Sequence, residues 1–307
     1  MYNLNIYCLI ITYNASAWLY KSIGNLSSST VPVNIIVIDN GSTDGTQQLI
    51  KTHYPAVDFI QSETNLGFGK ANNIGIKKAH EAGADFVFLL NQDAWVENDT
   101  IEKLVNIAEK KPEYGIVSPM HLNGKGAALD FRFSHYISPA KCPKLVSDTF
   151  LNKTINDIYE TKFVNAAAWL ISRQCIETIG GFNPIFHMYG EDDNYIHRAH
   201  YHGFKVGIYP FAKIYHDRED KNTTISENQY EKDIKKSLLV KYSNPNIPTT
   251  ITQEIKWVKR GIIKSLLKAD MEQFKNERSK LKLINKIKRE VTFNTKISKQ
   301  KGLSFLN

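Results

Sequence analysis

The sequence predicts an α/β fold in which helices flank a mostly parallel central sheet and a helical extension follows at the C-terminal end. Two observations support this prediction. Apolar segments of strand length alternate with segments of helical periodicity through the first half of the chain, which is the pattern of βαβ units. After Asp217 the composition becomes polar, and from Ile251 it becomes basic with apolar residues at helical spacing. With 307 residues, 42% of them hydrophobic, the chain is long enough to bury a substantial core.

The elements of the first half follow from apolar runs and the residues that interrupt them. The predicted strands cover residues 4–12, 33–39, 57–61 and 86–91, and the predicted helices cover residues 17–28, 46–53, 70–81 and 100–110. Pro55 and Pro112 each stand just past a predicted helix, where proline stops continuation. For the helix at residues 46–53 we expect Ser42, Thr43 or Asp44 as the N-cap.

The second half has a less regular pattern. Gly124, Gly126, Pro139 and Pro143 break the periodicity of residues 113–160, so we expect an irregular insertion or a hairpin there. Beyond it the sequence predicts a strand at residues 163–172, a short helix at 174–179, a helix that opens at Glu191 and an apolar strand at 204–209.

Polar residues end several of the predicted strands. An apolar run at residues 35–38 ends in Asp39 and a turn at residues 40–42. A buried parallel strand that ends in this way brings a carboxylate to the carboxyl edge of the sheet, where open α/β folds bind their ligands. Turn chemistry alone explains these residues equally well. Similar polar ends follow the first strand, at Thr12 and Asn14, and the fourth, at Asn91 and Asp93, and the repetition favours a site for a polar ligand.

Two later segments carry further candidate groups. Glu191, Asp192 and Asp193 follow an aromatic-rich loop and open a predicted helix. The helix dipole explains one acidic residue at such a position, whereas three in succession favour a site. His216 follows the strand predicted at 204–209, although an isolated histidine is more often structural. The histidines at positions 197, 200 and 202 have no zinc-site spacing and are expected on a solvated helix face.

Taken in order, these segments resemble the family-2 glycosyltransferases of GT-A fold, which move a sugar from a nucleotide diphosphate to an acceptor hydroxyl. The resemblance covers residues 3 to about 220 and includes Asn65-Leu66-Gly67-Phe68-Gly69 and Gly180-Gly181-Phe182. It implies a GT-A domain at residues 1–220, with a nucleotide-binding half at 1–97 and an acceptor-binding half at 98–220. Residues 221–307 then form a basic helical extension.

The resemblance also implies roles for individual residues. The nucleotide-binding residues would be Thr12, Asn14, Asp39, Asn40, Asn65, Gly67, Lys70 and Asn91. Gly67 and Gly69 would permit a loop to approach the nucleotide closely. Asp93 and His216 would hold a divalent metal, Mn2+ or Mg2+, and Asp192 would be the catalytic base with Glu191 as its neighbour.

Two positions depart from the family's pattern. Asn91 stands where the family usually carries the first Asp of a DxD motif, and Asn194 stands where it usually has a further Asp. A magnesium site commonly takes only one or two protein carboxylates, so Asp93 alone is sufficient. Asn91 would then coordinate through its amide oxygen or orient a water.

The implied function is inverting transfer of a sugar from a UDP or dTDP donor to a carbohydrate or lipid-linked acceptor, in surface polysaccharide or glycolipid assembly. Rhamnosyltransferases are one subgroup that fits. A sugar-phosphate nucleotidylyltransferase is a second hypothesis, but it requires a glycine-rich, basic phosphate loop after the first strand, and residues 12–16 contain neither. A non-catalytic nucleotide- or carbohydrate-binding module is a third. Asn91 and Asn194 favour it, whereas Asp93, Asp192 and His216 argue against it.

Charge and cysteine content indicate the compartment and the partners. The three cysteines are far apart, no stretch is apolar enough to cross a bilayer and no signal peptide is recognisable, so we expect a cytoplasmic protein. Residues 254–307 contain 15 Lys and Arg against 5 Asp and Glu. The apolar residues Trp257, Val258, Ile262, Ile263, Leu266 and Leu267 are expected opposite the lysines of a helix. That helix either packs on the domain or lies at an anionic membrane surface, at the inner face of the membrane; no nucleic acid partner is expected.

Overall fold

The computed structural model describes residues 4–218 and 227–306. Nine strands and eleven helices lie in this part of the chain. The strands are β1 (Ile6–Thr12), β2 (Asn34–Asp39), β3 (Asp58–Gln61), β4 (Phe86–Asn91), β5 (Ala94–Val96), β6 (Tyr114–Asn123), β7 (Tyr159–Glu160), β8 (Ala168–Ser172) and β9 (Lys205–His216). The helices are α1 (Leu19–Ser27), α2 (Thr46–His53), α3 (Phe68–Glu81), α4 (Thr100–Lys110), α5 (Phe131–Tyr136), α6 (Leu145–Phe150), α7 (Arg173–Ile179), α8 (Glu191–Tyr201), α9 (Glu227–Tyr242), α10 (Ile251–Leu267) and α11 (Met271–Ser298).

The described strands form one sheet in the order β3-β2-β1-β4-β8-β6-β9-β5, and β7 also pairs with β9. The strands β3, β2, β1 and β4 are parallel, as the first half of the sequence predicts. In the other half, β6 and β9 are parallel, whereas β8 and β5 run antiparallel to their neighbours. The α/β class with flanking helices is therefore confirmed, and the parallel arrangement dominates in the first half of the sheet.

Each face of the sheet buries its own layer of apolar side chains, because successive residues of a strand point to opposite faces. On β1, Cys8 and Ile10 pack in the layer that contains residues of α1, α2 and α4. Leu9 packs in the other layer, with residues of α3, α7 and α8. A Cβ at Gly75 of α3 would lie 2.9 Å from a methyl carbon of Leu9, so glycine allows α3 to approach β1 closely.

The elements of the first half agree closely with the predicted ones. The bounds of α2, β4 and α4 are those predicted, and the ends of the remaining elements differ by at most two residues. The predicted N-cap of α2 is wrong, because Gly45, with φ of 88°, holds that position. Asp44 instead accepts a hydrogen bond at 3.1 Å from the backbone N–H of Thr46, inside the turn.

Three predictions for the second half need correction. Residues 113–160 are not irregular from the start, because β6 forms a strand of 10 residues in the sheet. The residues that suggested irregularity, Gly124, Gly126, Pro139 and Pro143, all lie beyond the end of β6 at Asn123. The register of β6 with β9 shifts after Pro119, which has no N–H to donate. The strand predicted from residue 163 begins at Ala168. The strand predicted at 204–209 continues to His216, because it pairs with both β6 and β5 over the added residues.

The C-terminal helices α10 and α11 form a helical hairpin with a short turn at residues 268–270. Glu254 forms an ion pair of 2.7 Å with Lys280, which joins the two helices. Val258 faces inward and packs in a third apolar cluster that also contains residues of α9 and α11. No helix in residues 4–218 and 227–306 combines the length and the hydropathy that a membrane span requires.

The sequence predicts one apolar stripe on α10 opposite the lysines, and this prediction is wrong. Val258 is buried, but Trp257, Ile263, Leu266 and Leu267 are exposed on the same outward side as the basic residues. The reason is that α11 packs along the seam of Ile251, Glu254, Val258 and Ser265, which leaves the remaining apolar residues uncovered.

Candidate active site

The sheet places the predicted polar strand ends side by side. In the parallel register, Thr12 of β1 pairs with Asp39 of β2. On the other side of β1, Ile11 pairs with Asn91 of β4. Three neighbouring strands therefore end at one edge of the sheet, as expected for a ligand site in an open α/β fold.

Asp39 is the centre of a hydrogen-bond network within the protein. Its side chain is 0% exposed. One carboxylate oxygen accepts from the hydroxyls of Thr12, at 2.8 Å, and Ser42. The other accepts from the backbone N–H of Ser42 at 2.9 Å and from the amide of Gln47 at 2.8 Å. Asp39 therefore holds the turn after β2 in place, and its oxygens are already satisfied by protein donors.

Asn14 joins the loop after β1 to the same turn. It has a left-handed backbone, with φ of 52°, and its side-chain oxygen accepts from the backbone N–H of Thr43 at 2.9 Å. Its own N–H donates to the hydroxyl of Ser42 at 2.8 Å. The neighbouring Tyr13 donates its N–H to the side-chain oxygen of Gln92 at 2.7 Å, which ties the loop to the end of β4. These hydrogen bonds hold the exposed, polar loop after β1 in one position relative to the ends of β2 and β4.

The segment at residues 65–70 serves the packing of the protein itself. The side chain of buried Asn40 accepts from the N–H of Leu66 at 3.3 Å, and that of Asn65 accepts from the N–H of Gly67 at 2.9 Å. A Cβ at Gly67 would lie 2.2 Å from the carbonyl oxygen of His187. Gly67 therefore lets α3 meet the loop before α8, which is a different reason for glycine from the predicted approach to a nucleotide. Lys70 is exposed on α3 and does not line the large cavity between β4, α8 and β9.

The other predicted residues meet at one large cavity. It has a volume of about 1,220 Å3 and lies between the end of β4, the start of α8 and the end of β9. Its walls contain Asn91, Asp93 and His216 from the sheet and Glu191 and Asp192 from α8. These residues are distant in sequence, so their convergence is a property of the fold.

His216 lies between two carboxylates. Its Nε2 is 3.3 Å from Oδ1 of Asp93, and its Nδ1 is 3.3 Å from Oδ2 of Asp130. Burial lowers the pKa of His216, but the contacts with Asp130 and Asp93 outweigh burial and raise the pKa above its ordinary value. The side-chain amide of Asn91 is 3.5 Å from the same Nε2 atom.

The acidic run occupies the first turn of α8. Tyr189, with φ of 65°, and Gly190, with φ of 97°, turn the chain sharply into the helix. Burial, and then the charge of Asp192, raise the pKa of Glu191 to about 8. Burial also raises the pKa of Asp192. The pKa of Asp193 rises to about 6 for the same two reasons that act on Glu191. At neutral pH the first turn therefore carries less negative charge than its composition indicates.

Asn194 has a structural role. Its side chain is buried, accepts from the guanidinium of Arg198 at 3.1 Å and donates to the carbonyl of Ser243 at 3.3 Å. Arg198 in turn donates to the carbonyls of Ile179 and Gly181, which fixes α8 against the end of α7. Asn194 does not line the cavity. Asn194, which stands where the family usually has Asp, therefore serves the packing of α8.

The prediction of a solvated face for the three α8-region histidines is wrong. His197, His200 and His202 are all partly buried. Burial lowers the pKa of His197 to about 4, and it also lowers the pKa of His200. His202 contacts the carbonyl of Ser298 at 3.1 Å, because α11 packs nearby.

Several residues of the site were missed from the sequence. Asp130, beside His216, is the N-cap of α5 and accepts from the N–H of Phe133 at 2.8 Å. Four basic side chains line the cavity itself, namely Arg132, Lys141, Arg218 and Lys236. Of these residues, only Asp130 carries a local signal in the sequence, that of a turn. The irregular pattern around residues 124–143 does not show which side chains face the site.

The donor atoms of two cavity residues suit a divalent ion. In residues 4–218 and 227–306 no three His, Cys, Asp or Glu side chains are arranged to hold a metal. Asp93 and His216 nevertheless present a carboxylate oxygen and an imidazole nitrogen to the cavity, and Asp130 faces the other ring nitrogen. A carboxylate behind a ligating histidine is the usual second partner of such a ring. The residues therefore fit a metal whose further ligands come from a diphosphate.

The sequence model of Glycosyl transferase family 2 matches residues 7–180 of this chain. Three relatives are each 25% identical to it. They are the N-acetylglucosaminyl-diphospho-decaprenol L-rhamnosyltransferase of Mycobacterium tuberculosis, with 68% of this chain and 74% of the relative covered, the dTDP-rhamnosyl transferase RfbF of Shigella flexneri, with 73% and 72% covered, and the rhamnosyltransferase WbbL of Escherichia coli, with 72% and 87% covered.

Solved structures share the fold. The chain is similar to Staphylococcus aureus TarS 1–349 in complex with UDP, with a TM-score of 0.56 at 14% identity and 94% and 92% of the two chains covered. It is also similar to GalNAc-T7 with UDP, GalNAc and Mn2+, with a TM-score of 0.57 at 16% identity, covering 79% of this chain and 50% of the other. The predicted GT-A architecture is confirmed by these likenesses.

Proposed function

The chain belongs to Glycosyl transferase family 2, and from this membership and the cavity we propose that it moves a hexose or deoxyhexose from UDP or dTDP during surface polysaccharide or glycolipid assembly. It is an inverting glycosyltransferase, as the sequence predicts. The three rhamnosyltransferase relatives support a deoxyhexose, and the UDP complex of TarS supports a nucleotide donor.

The observation that carries the proposal is the convergence of two sets of groups on one cavity. Asp93 and His216 stand at its sheet side, and Asp192 stands at its helix side. Inverting transfer needs one group to neutralise the departing diphosphate and another to deprotonate the attacking hydroxyl. Asp192 is proposed for the second task, and a metal held by Asp93 and His216 for the first. The cavity exceeds the roughly 300–1,000 Å3 that single small ligands usually occupy, so it can hold two substrates together.

For the donor, we propose that the base and ribose lie over the strand ends at Thr12, Asn14 and Asp39, with exposed Asn14 at the surface and buried Thr12 and Asp39 beneath it. Because the oxygens of Asp39 already accept four hydrogen bonds, this carboxylate shapes the pocket by fixing Ser42 and Gln47. The further proposed nucleotide-side residues are Asn40, Asn65, Gly67, Lys70 and Asn91. Asn40, Asn65 and Gly67 would act by holding the loop at residues 65–67.

We propose that Asp93 and His216 hold Mn2+ or Mg2+, and that Asp130 keeps His216 oriented through Nδ1. When bound, the metal supplies positive charge beside the diphosphate. The support is the donor chemistry of these side chains and the Mn2+ in the related GalNAc-T7 structure.

At the helix side, Asp192 is the proposed catalytic base. It takes the proton of the acceptor hydroxyl while the new bond from that oxygen to the anomeric carbon forms and the bond from this carbon to the diphosphate breaks. Attack from the opposite side inverts the anomeric configuration. Asp192 lines the cavity at the start of α8, and burial raises its pKa. Glu191 has a pKa of about 8 and is mostly protonated at neutral pH, so it does not compete for the proton.

We further propose that the enzyme works in the cytoplasm at the inner face of the membrane, held by the α10–α11 hairpin. The exposed residues Ile263, Leu266, Leu267 and Met271 cluster around its turn, and Leu267 is 84% exposed. Basic residues surround them at positions 260, 264 and 268. Apolar side chains beside cations match the acyl region and the headgroups of an anionic bilayer, where each basic residue contributes on the order of 1 kcal/mol.

The function is tested by measuring thermal stability with UDP-sugars and dTDP-sugars in the presence of Mn2+. A bound donor raises the free energy of unfolding by about 2.7 kcal/mol at a concentration 100 times its dissociation constant. The expected result is stabilisation by one nucleotide class and its loss when EDTA replaces Mn2+. Absence of stabilisation by every donor would contradict the proposed function.

A further inference from the structure

Two lysines in the cavity wall form no ion pair with a carboxylate of the described residues. Lys141 follows α5 in the chain and Lys236 lies on α9, and both side chains line the cavity. The Nζ of Lys141 is 5.5 Å from the ring centre of Tyr136, and the Nζ of Lys236 is 5.7 Å from that of Tyr189. Among the described residues, neither amine has a carboxylate oxygen within 4.0 Å. Each ammonium group therefore lies over an aromatic face, and among the described residues neither is held in a carboxylate ion pair.

Both lysines face the acidic start of α8. Their charges lower the pKa of Asp193 against the larger effects of burial and of Asp192. Lys236 acts on Glu191 in the same direction. The two ammonium groups are thus on the side of the cavity where the acceptor hydroxyl must lie, next to Asp192. The proposed site of the donor diphosphate is at Asp93 and His216, on the sheet side.

An anion bound by these lysines therefore belongs to the acceptor. Lysine binds phosphate as a compact charge with three donors, and two lysines suit a phosphate or a diphosphate. A neutral sugar chain has no charged group that would pair with the ammonium groups of Lys141 and Lys236.

Exposed apolar side chains line the same cavity as the two lysines, which are also exposed. They are Phe131, Met188 and Tyr189, and Phe131 is exposed by 69%. Large apolar side chains beside cations match a ligand that carries both a phosphate and a hydrocarbon chain.

We propose that Lys141 and Lys236 form a phosphate subsite for an acceptor sugar that is joined through phosphate to a lipid, whose chain leaves over Phe131, Met188 and Tyr189. This inference rests on the proposed function and adds the acceptor class and the residues that recognise it. The phosphate takes no part in the reaction and positions the sugar hydroxyl beside Asp192.

The test uses the full chain with the donor side filled by saturating UDP or dTDP and Mn2+. Binding of geranyl diphosphate, geraniol and inorganic diphosphate is then measured by titration calorimetry. We expect geranyl diphosphate to bind at least 10-fold more tightly than either of the other probes. Replacing both lysines, Lys141→Gln with Lys236→Gln, should weaken the binding of geranyl diphosphate at least 10-fold and leave the affinity for the nucleotide unchanged.

The matched control is Lys153→Gln with Lys235→Gln, two exposed lysines from the same regions that do not line the cavity. It should bind all probes like the unmodified chain. An equal loss in both double variants, or equal affinity for geraniol and geranyl diphosphate, would overturn the subsite while nucleotide binding stays intact. Absence of binding by both nucleotides would instead overturn the proposed function, and this inference with it.

Discussion

Glu191 should make the stability of the protein depend on pH between 5 and 8. Its side chain is buried, and among the described residues its Oε2 atom has no hydrogen-bond partner. Burial and the neighbouring Asp192 raise its pKa from 4.5 to about 8. The folded chain then keeps a proton that the unfolded chain releases above its ordinary pKa. The stabilisation is complete below pH 4.5, is lost as the pH rises, and levels off above the folded pKa of about 8.

The expected magnitude follows from the size of the shift. Each pKa unit corresponds to about 1.4 kcal/mol, so about 3 kcal/mol of the free energy of unfolding should be lost between pH 5 and pH 8 through this group alone. Glu191→Gln replaces the protonated carboxyl with a neutral group of similar shape that does not titrate. Asp192 and Asp193 titrate in both proteins, so the difference between the two curves reports mainly on Glu191.

The assay is urea unfolding of both proteins at half-unit steps from pH 5 to pH 8. The stability of Glu191→Gln relative to the unmodified protein should rise by about 3 kcal/mol across this range. Glu109→Gln, at an exposed position of α4, is the control and should follow the unmodified protein. Parallel curves for the unmodified protein and Glu191→Gln would refute the reasoning, because they would show that Glu191 is ionised in the folded state.

Three further predictions concern the proposed function. Asp93→Ala should abolish the part of UDP or dTDP affinity that depends on Mn2+, measured by calorimetry with and without EDTA; unchanged affinity under both conditions would remove Asp93 from the metal site. Asp192→Asn should bind the donor nearly normally and lose transfer by about 10²–10⁴-fold, the contribution of a general base; turnover within a few-fold of normal would assign the base elsewhere. Leu266→Ser with Leu267→Ser should reduce co-sedimentation with anionic liposomes while leaving donor affinity unchanged, and equal sedimentation, or binding that resists high salt, would exclude the hairpin as the contact.

The local sequence was sufficient to predict the bounds of helices and strands where a single periodic pattern was present. The helices at residues 46–53 and 100–110 and the strand at 86–91 were predicted with their observed bounds, because apolar spacing and flanking turn residues agreed. The same patterns failed at β6, because the glycines and prolines that predicted irregularity for residues 113–160 all lie beyond the end of this strand at Asn123. They also failed on α10, since only the position of α11 decides which apolar residues are covered.

For the site, the sequence by itself determined the order of polar strand ends and the acidic start of α8, and with them the family. Which of these residues meet was decided by the tertiary structure. It brought Asp93, Asp192 and His216 to one cavity and left Lys70 outside it. Hydrogen bonds from Ser42 and Gln47 show that Asp39 stabilises the turn that follows β2. Asp130, Lys141 and Lys236 join the site from irregular or distant segments, because the contacts that place them span long sequence separations that no local pattern records.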